Sequence, residues 1–142
     1  MKNETKNWIY YANNDIHMIS NNINIDDPEA TGAIAVFCQQ AVEKYFKAYL
    51  VEHAVDFPKT HDLLNLYNKI KAINNWDIDE TILASLNGLY IKSRYPSDIG
   101  AMPSGNMPTL DETKEFIDFA KKVESIFKEE IPFELPPPNV HQ

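Results

Sequence analysis

The sequence predicts an all-α fold, an up-and-down bundle of four to five helices, and three observations carry the prediction. Apolar residues recur at spacings of three and four over most of the chain. Glycine occurs only 4 times in 142 residues, too seldom for the turns of a many-stranded sheet. The 9 prolines gather mostly in two places, between residues 94 and 108 and after residue 131, and so leave the helical periods uninterrupted. Residues 1–131 are read as one helical bundle domain and 132–142 as a Pro-rich extended tail.

The first helix is expected from Lys6 to Ile23, because Trp8, Tyr11, Ala12, Ile16, Ile19 and Ile23 share one side. Asp15 falls on or beside that apolar stripe and needs a partner, which Lys44, Tyr45 or Arg94 would supply. The second helix is expected to open with Asp27 as cap and Pro28 at the first helical position, and to run to about His53. It is apolar on two sides, one carrying Ile34, Cys38, Ala41, Tyr45 and Tyr49, the other Ala35, Val42, Phe46 and Leu50. Only a narrow arc of Gln40, Glu43, Lys44 and Lys47 is polar, so this helix belongs at the centre of the bundle. Cys38 then reads as a buried packing residue, since a lone cysteine forms no internal disulfide.

Thr60 is expected to cap the third helix, with Asp62 in its first turn and Leu63, Leu64, Leu66, Tyr67 and Ile70 facing inward. The fourth is expected from Asp77, paired with Glu80 in a capping box, and to fade near Ser93. A long connection with three prolines and two glycines follows over 94–108, long enough inside a compact domain to suggest a task. Thr109 and Glu112 then form a second capping box, opening a fifth helix built on Phe116, Ile117, Phe119, Ala120, Val123, Ile126 and Phe127 that Pro132 ends.

Charge narrows the function. With 21 acidic and 13 basic side chains the net charge is −8, and Arg94 is the one arginine, which weighs against a nonspecific nucleic-acid binder. The N-terminus lacks a secretion-signal pattern and the longest apolar run, Ala33 to Cys38, is too short to span a bilayer, so a cytoplasmic protein is expected. The four histidines lack metal-site spacing, and neither a Gly-rich phosphate loop nor a nucleophile elbow is present. No metal, cofactor or catalytic residue is predicted on these grounds.

The candidate ligand-binding residues are Arg94, Tyr95, Asp15, Lys44 and His61. Arg94 suits bidentate phosphate contact while Tyr90 or Tyr95 stacks on a base; alternatively Arg94 pairs with a carboxylate such as Asp15 and closes the bundle. His61 lies at a helix start, where the dipole disfavours protonation and a neutral, locally hydrogen-bonded imidazole is expected.

The order of four segments is fairly specific: Ala12 with Asp15, then the run from Phe37 through Gln39, Gln40, Glu43, Lys44 and Tyr45 to Ala48, then Pro58 to Leu63, then Ser93 to Pro96. Over about residues 6–130 the chain resembles the HEPN (higher eukaryote and prokaryote nucleotide-binding) domain family. The resemblance implies an up-and-down bundle that pairs into a homodimer, often encoded beside a small nucleotidyltransferase. Many members are RNA-cutting toxins or defence proteins, which resemble each other in an arginine followed within two helical turns by a histidine. Arg94 matches that arginine, but Tyr95 to Ala101 contain no histidine, so the expected acid-base partner is missing.

The reading that follows is a dimeric, noncatalytic module binding a nucleotide or a partner protein such as a nucleotidyltransferase. One alternative is a toxin-type RNase of a toxin–antitoxin pair, with Arg94 on the phosphate and His61 or a residue of the other subunit moving the proton. The other is a pure protein-interaction module.

Overall fold

The computed structural model describes residues 1–94 and 107–132. The candidate Tyr95, most of the 94–108 connection and the tail from residue 133 lie outside the described residues, as do the side chains of Asn22 and of residues 89–94. Five helices and no strand are found among the described residues: α1 (Asn3–Asn22), α2 (Thr31–Glu52), α3 (Leu63–Lys71), α4 (Glu80–Arg94) and α5 (Leu110–Glu130).

The central position of α2 follows from its sequence. It packs against each of the other four helices, and Ile34, Cys38, Ala41, Val42, Tyr45, Phe46, Ala48 and Leu50 are completely buried. A helix with apolar residues around most of its circumference is stable in water only when neighbours cover it on all sides. Aromatic rings fill the space at its C-terminal half. Phe46 lies between Tyr67, at 5.7 Å, and Trp76, at 5.8 Å, while Tyr49 meets Trp76 edge-on at 5.0 Å and Tyr45 meets Phe127 at 5.3 Å. Such offset and edge contacts add about 0.5–1.5 kcal/mol each beyond the area they bury.

Helix ends show where local chemistry competes with apolar period. The capping box at Thr109 forms as expected: its hydroxyl accepts the Glu112 N–H at 3.1 Å and the Glu112 carboxylate accepts the Thr109 N–H at 3.1 Å. The other starts are displaced. Asp27 accepts from the Glu29 N–H at 2.9 Å and its carbonyl from the Ala30 N–H at 3.0 Å, closing a turn before α2 instead of capping it. Asp62, not Thr60, caps α3, accepting from the Leu64 and Asn65 N–H groups, while the Thr60 hydroxyl accepts the Asp62 N–H one step upstream. Asp79, not Asp77, accepts from Thr81 and Ile82 at the start of α4. At α3 and α4 the aspartate adjacent to the first helical residue takes the free amides, whereas α2 starts after Ala30 with no side-chain cap.

At the other end of α2, the Ala54 N–H donates to Val51 O at 3.0 Å and the Val55 N–H to Leu50 O at 2.9 Å, a Schellman closure. Ala54 occupies its left-handed position with φ 56°, where glycine is usual. The chain then returns along the bundle to reach α3. The start of α1 is fastened to the end of α2 by Glu52, which accepts from the Lys2 N–H at 3.0 Å and the Thr5 hydroxyl at 2.9 Å. These bonds, the backbone one first, hold the Glu52 carboxyl below its ordinary range despite some desolvation.

Candidate functional site

Two polar groupings lie along the edge where α1 and α2 meet. In the first, Lys44 of α2 donates to Asp15 of α1 at 2.6 Å, with both side chains mostly covered. Asp15 is thereby provided with one of the three partners its position called for. Tyr45 turns away instead and donates to Glu124 on α5 at 3.0 Å. Burial pushes the Asp15 carboxyl above its ordinary value, and the Lys44 ammonium pulls against that rise without cancelling it. Tyr45 is pushed up as well, by burial and then by the Glu124 charge.

The rim of this pair is aromatic. Tyr11 is 54% exposed and Tyr10 39%, and the two rings meet edge-on at 5.5 Å. The Lys44 ammonium lies 6.0 Å from the Tyr11 ring centre, at the outer limit of a cation–π contact. A cation, a carboxylate and an exposed aromatic face are thus presented together.

The second grouping was not legible as such in the sequence. Glu43 and Lys47, expected on an outward polar arc, are buried, with side chains only 7% and 8% exposed and 3.0 Å apart. The correction has a plain cause: α1 lays Trp8 5.3 Å from the Lys47 ammonium, and the segment before α3 lays Phe57 5.9 Å from it, so the arc is roofed over. Glu43 also holds His61, whose Nδ1 is 2.9 Å from Glu43 Oε1 while 56% of the ring side chain stays exposed. Gln39, completely buried, donates to Glu43 at 3.2 Å and to the His61 carbonyl at 3.0 Å, and its own Oε1 has no protein partner. The usable signal is the spacing Gln39, Glu43, Lys47: polar residues one turn apart on a helix otherwise apolar.

Asn87 on α4 links this corner to the fourth helix. Its Oδ1 accepts the Leu63 N–H at 3.0 Å and its Nδ2 donates to Asp62 at 3.1 Å. Arg94 ends the same helix two turns later, about 10 Å along the axis. Asp15 with Lys44, and His61 with Glu43, are therefore brought onto neighbouring positions of α2, and α4 runs past the His61 corner toward its terminus at Arg94. Cys38 is completely buried, as expected, and burial raises its thiol to about 12, which makes it inert. No His, Cys, Asp and Glu grouping fit to hold a metal ion occurs among the described residues. Nor is any described helix long and apolar enough to cross a membrane.

A bundle wrapped around a buried second helix, with a cation–carboxylate pair and a carboxylate-bound imidazole at one edge, defines a small all-helical class of domain. The HEPN domain family model matches residues 5–131, nearly the whole chain, and the chain belongs to the HEPN domain family. No curated protein and no solved structure gives a match.

Proposed function

We propose that this HEPN chain is a noncatalytic, homodimeric binding module that holds a nucleotide or a partner protein, such as a small nucleotidyltransferase, beside Lys44 and the end of α4 at Arg94. The observation that carries the reading is the Lys44–Asp15 pair beside the exposed Tyr11 ring. An aromatic face takes a base or a partner's side chain, and a lysine beside it takes an anion once Asp15 shares it. A long RNA fits less well, because the paired acid and the net charge of −8 oppose a polyanion. The reading puts the protein in the cytosol.

Isothermal titration with ATP, GTP, cAMP and short RNAs tests the ligand half: binding that Lys44→Ala or Arg94→Ala abolishes is expected, and no heat with any of the four removes it. Dimerisation draws on Tyr10 and Met18, large side chains exposed on α1, and leaves Tyr11 to the ligand. Light scattering at micromolar concentration should give twice the chain mass of 16.3 kDa, and monomer alone would refute that half.

A second reading, an RNase of a toxin–antitoxin pair, is favoured by one observation. Glu43 fixes Nδ1 of a ring that is more than half exposed, the manner in which a carboxylate orients an imidazole for proton transfer. Growth arrest on expression without an antitoxin, relieved by His61→Ala, would establish it; normal growth with intact transfer RNA would count against it.

A further inference from the structure

The groove between α4 and α5 lies away from α1 and its Lys44 edge. Ile78, Ile82 and Phe119 form its floor, and it encloses about 480 Å³. A smaller hollow of about 200 Å³ continues it past Ile82 and Glu115 to Phe116. Its rim is acidic: Asp77 and Asp79 stand on one side, Glu115 and Asp118 on the other, all exposed. Among the described residues Lys122 is the one cation lining it, and it lies 3.8 Å from Asp77.

We propose that this groove docks an amphipathic, lysine- or arginine-flanked helix of a partner protein. Phe116 and Phe119 lie one turn apart on α5, and Ile82 in the first turn of α4 with Ile78 from the segment leading into it faces them, so an apolar furrow runs between the two walls. A third helix seats its apolar stripe in such a furrow, and its flanking cations meet the carboxylates on both walls. Charge selects the occupant. Four carboxylates repel a nucleic acid, and the two stretches of this chain outside the described residues, 95–106 and 133–142, contain neither lysine nor arginine, so neither complements the rim.

The probe is a synthetic amphipathic helix of about four turns, long enough to hold together once docked, with a leucine stripe flanked by lysines; its counterpart carries glutamates in place of the lysines. Amide-resolved NMR titration of the intact protein should show shifts centred on Ile78, Ile82 and Phe119 with the lysine peptide and none with the glutamate peptide. The double variant Glu115→Lys with Asp118→Lys changes two exposed side chains, so its circular dichroism should match wild type while its affinity for the lysine peptide falls at least about tenfold. Raising the salt should weaken the wild-type complex. Shifts mapping to another face, equal binding of both peptides, or no binding to wild type overturns the proposal. Self-association of the wild type that the double variant abolishes would also overturn it, because the occupant would then be a second copy. Lys44→Ala should leave peptide binding unchanged, which separates the failure of this proposal from the failure of the ligand reading at the α1 edge.

Discussion

Replacing Glu43 by alanine strikes the most heavily buried ionic contact among the described residues. The carboxylate accepts from Lys47 at 3.0 Å, His61 at 2.9 Å and Gln39 at 3.2 Å, and its side chain is 7% exposed. Without it the Lys47 ammonium, 8% exposed, keeps only the Trp8 and Phe57 rings for company. Breaking a buried pair by removing one partner costs about 3–5 kcal/mol, because the surviving charge stays desolvated. That is a large share of the roughly 5–15 kcal/mol by which a domain is stable. With an unfolding entropy of about 2.1 cal/mol/K per residue, the loss lowers the melting temperature by about 10–17 °C. Urea unfolding followed by the fluorescence of Trp8 and Trp76 measures it. Replacing both charges, Glu43→Leu with Lys47→Met, should recover part of the loss, since no unpaired charge is left. A cost below about 1 kcal/mol for Glu43→Ala, the level of an exposed pair, would refute the burial argument.

Three further expectations concern single groups. Asp15 is raised above 3.8 in the fold, so the folded state holds that proton more tightly than the unfolded chain. Its contribution therefore falls as pH rises from the unfolded value through the folded one, and the stability of wild type relative to Asp15→Asn should decline across that window; a relative stability that climbs with pH would contradict this. Ala54→Gly removes the strain of a left-handed alanine and should stabilise the protein by about 1 kcal/mol in thermal unfolding, whereas a destabilised variant would mean that the closure of α2 is not under strain. Cys38, with its thiol raised to about 12, should resist iodoacetamide in the native state and react at the rate of global unfolding; rapid labelling of folded protein would show the core to be open there.

Much of the fold was legible because the apolar period of three and four is a property of each segment by itself. The all-helical class, the central second helix and the buried Cys38 follow from it, and the Thr109 capping box from the equally local Thr109–Glu112 spacing. Helix starts were less legible at Thr60 and Asp77, each with a rival aspartate two residues nearer the helix, and at Asp27, where a turn forms ahead of α2 and no side chain caps it. Asp15 announced its need for a partner, yet only the packing of α1 on α2 chose Lys44 over Tyr45. The Gln39–Glu43–Lys47–His61 grouping was hidden for a related reason: charges on a helix are normally solvated, and the roof over these is supplied by Trp8 and Phe57 from distant parts of the chain.

That this HEPN chain binds without cutting is tested most directly by incubating end-labelled transfer RNA with a molar excess of the purified protein and resolving the products on a denaturing gel. The account predicts full-length RNA throughout, identical for wild type and His61→Ala. Fragments that appear with wild type and vanish with His61→Ala would contradict it.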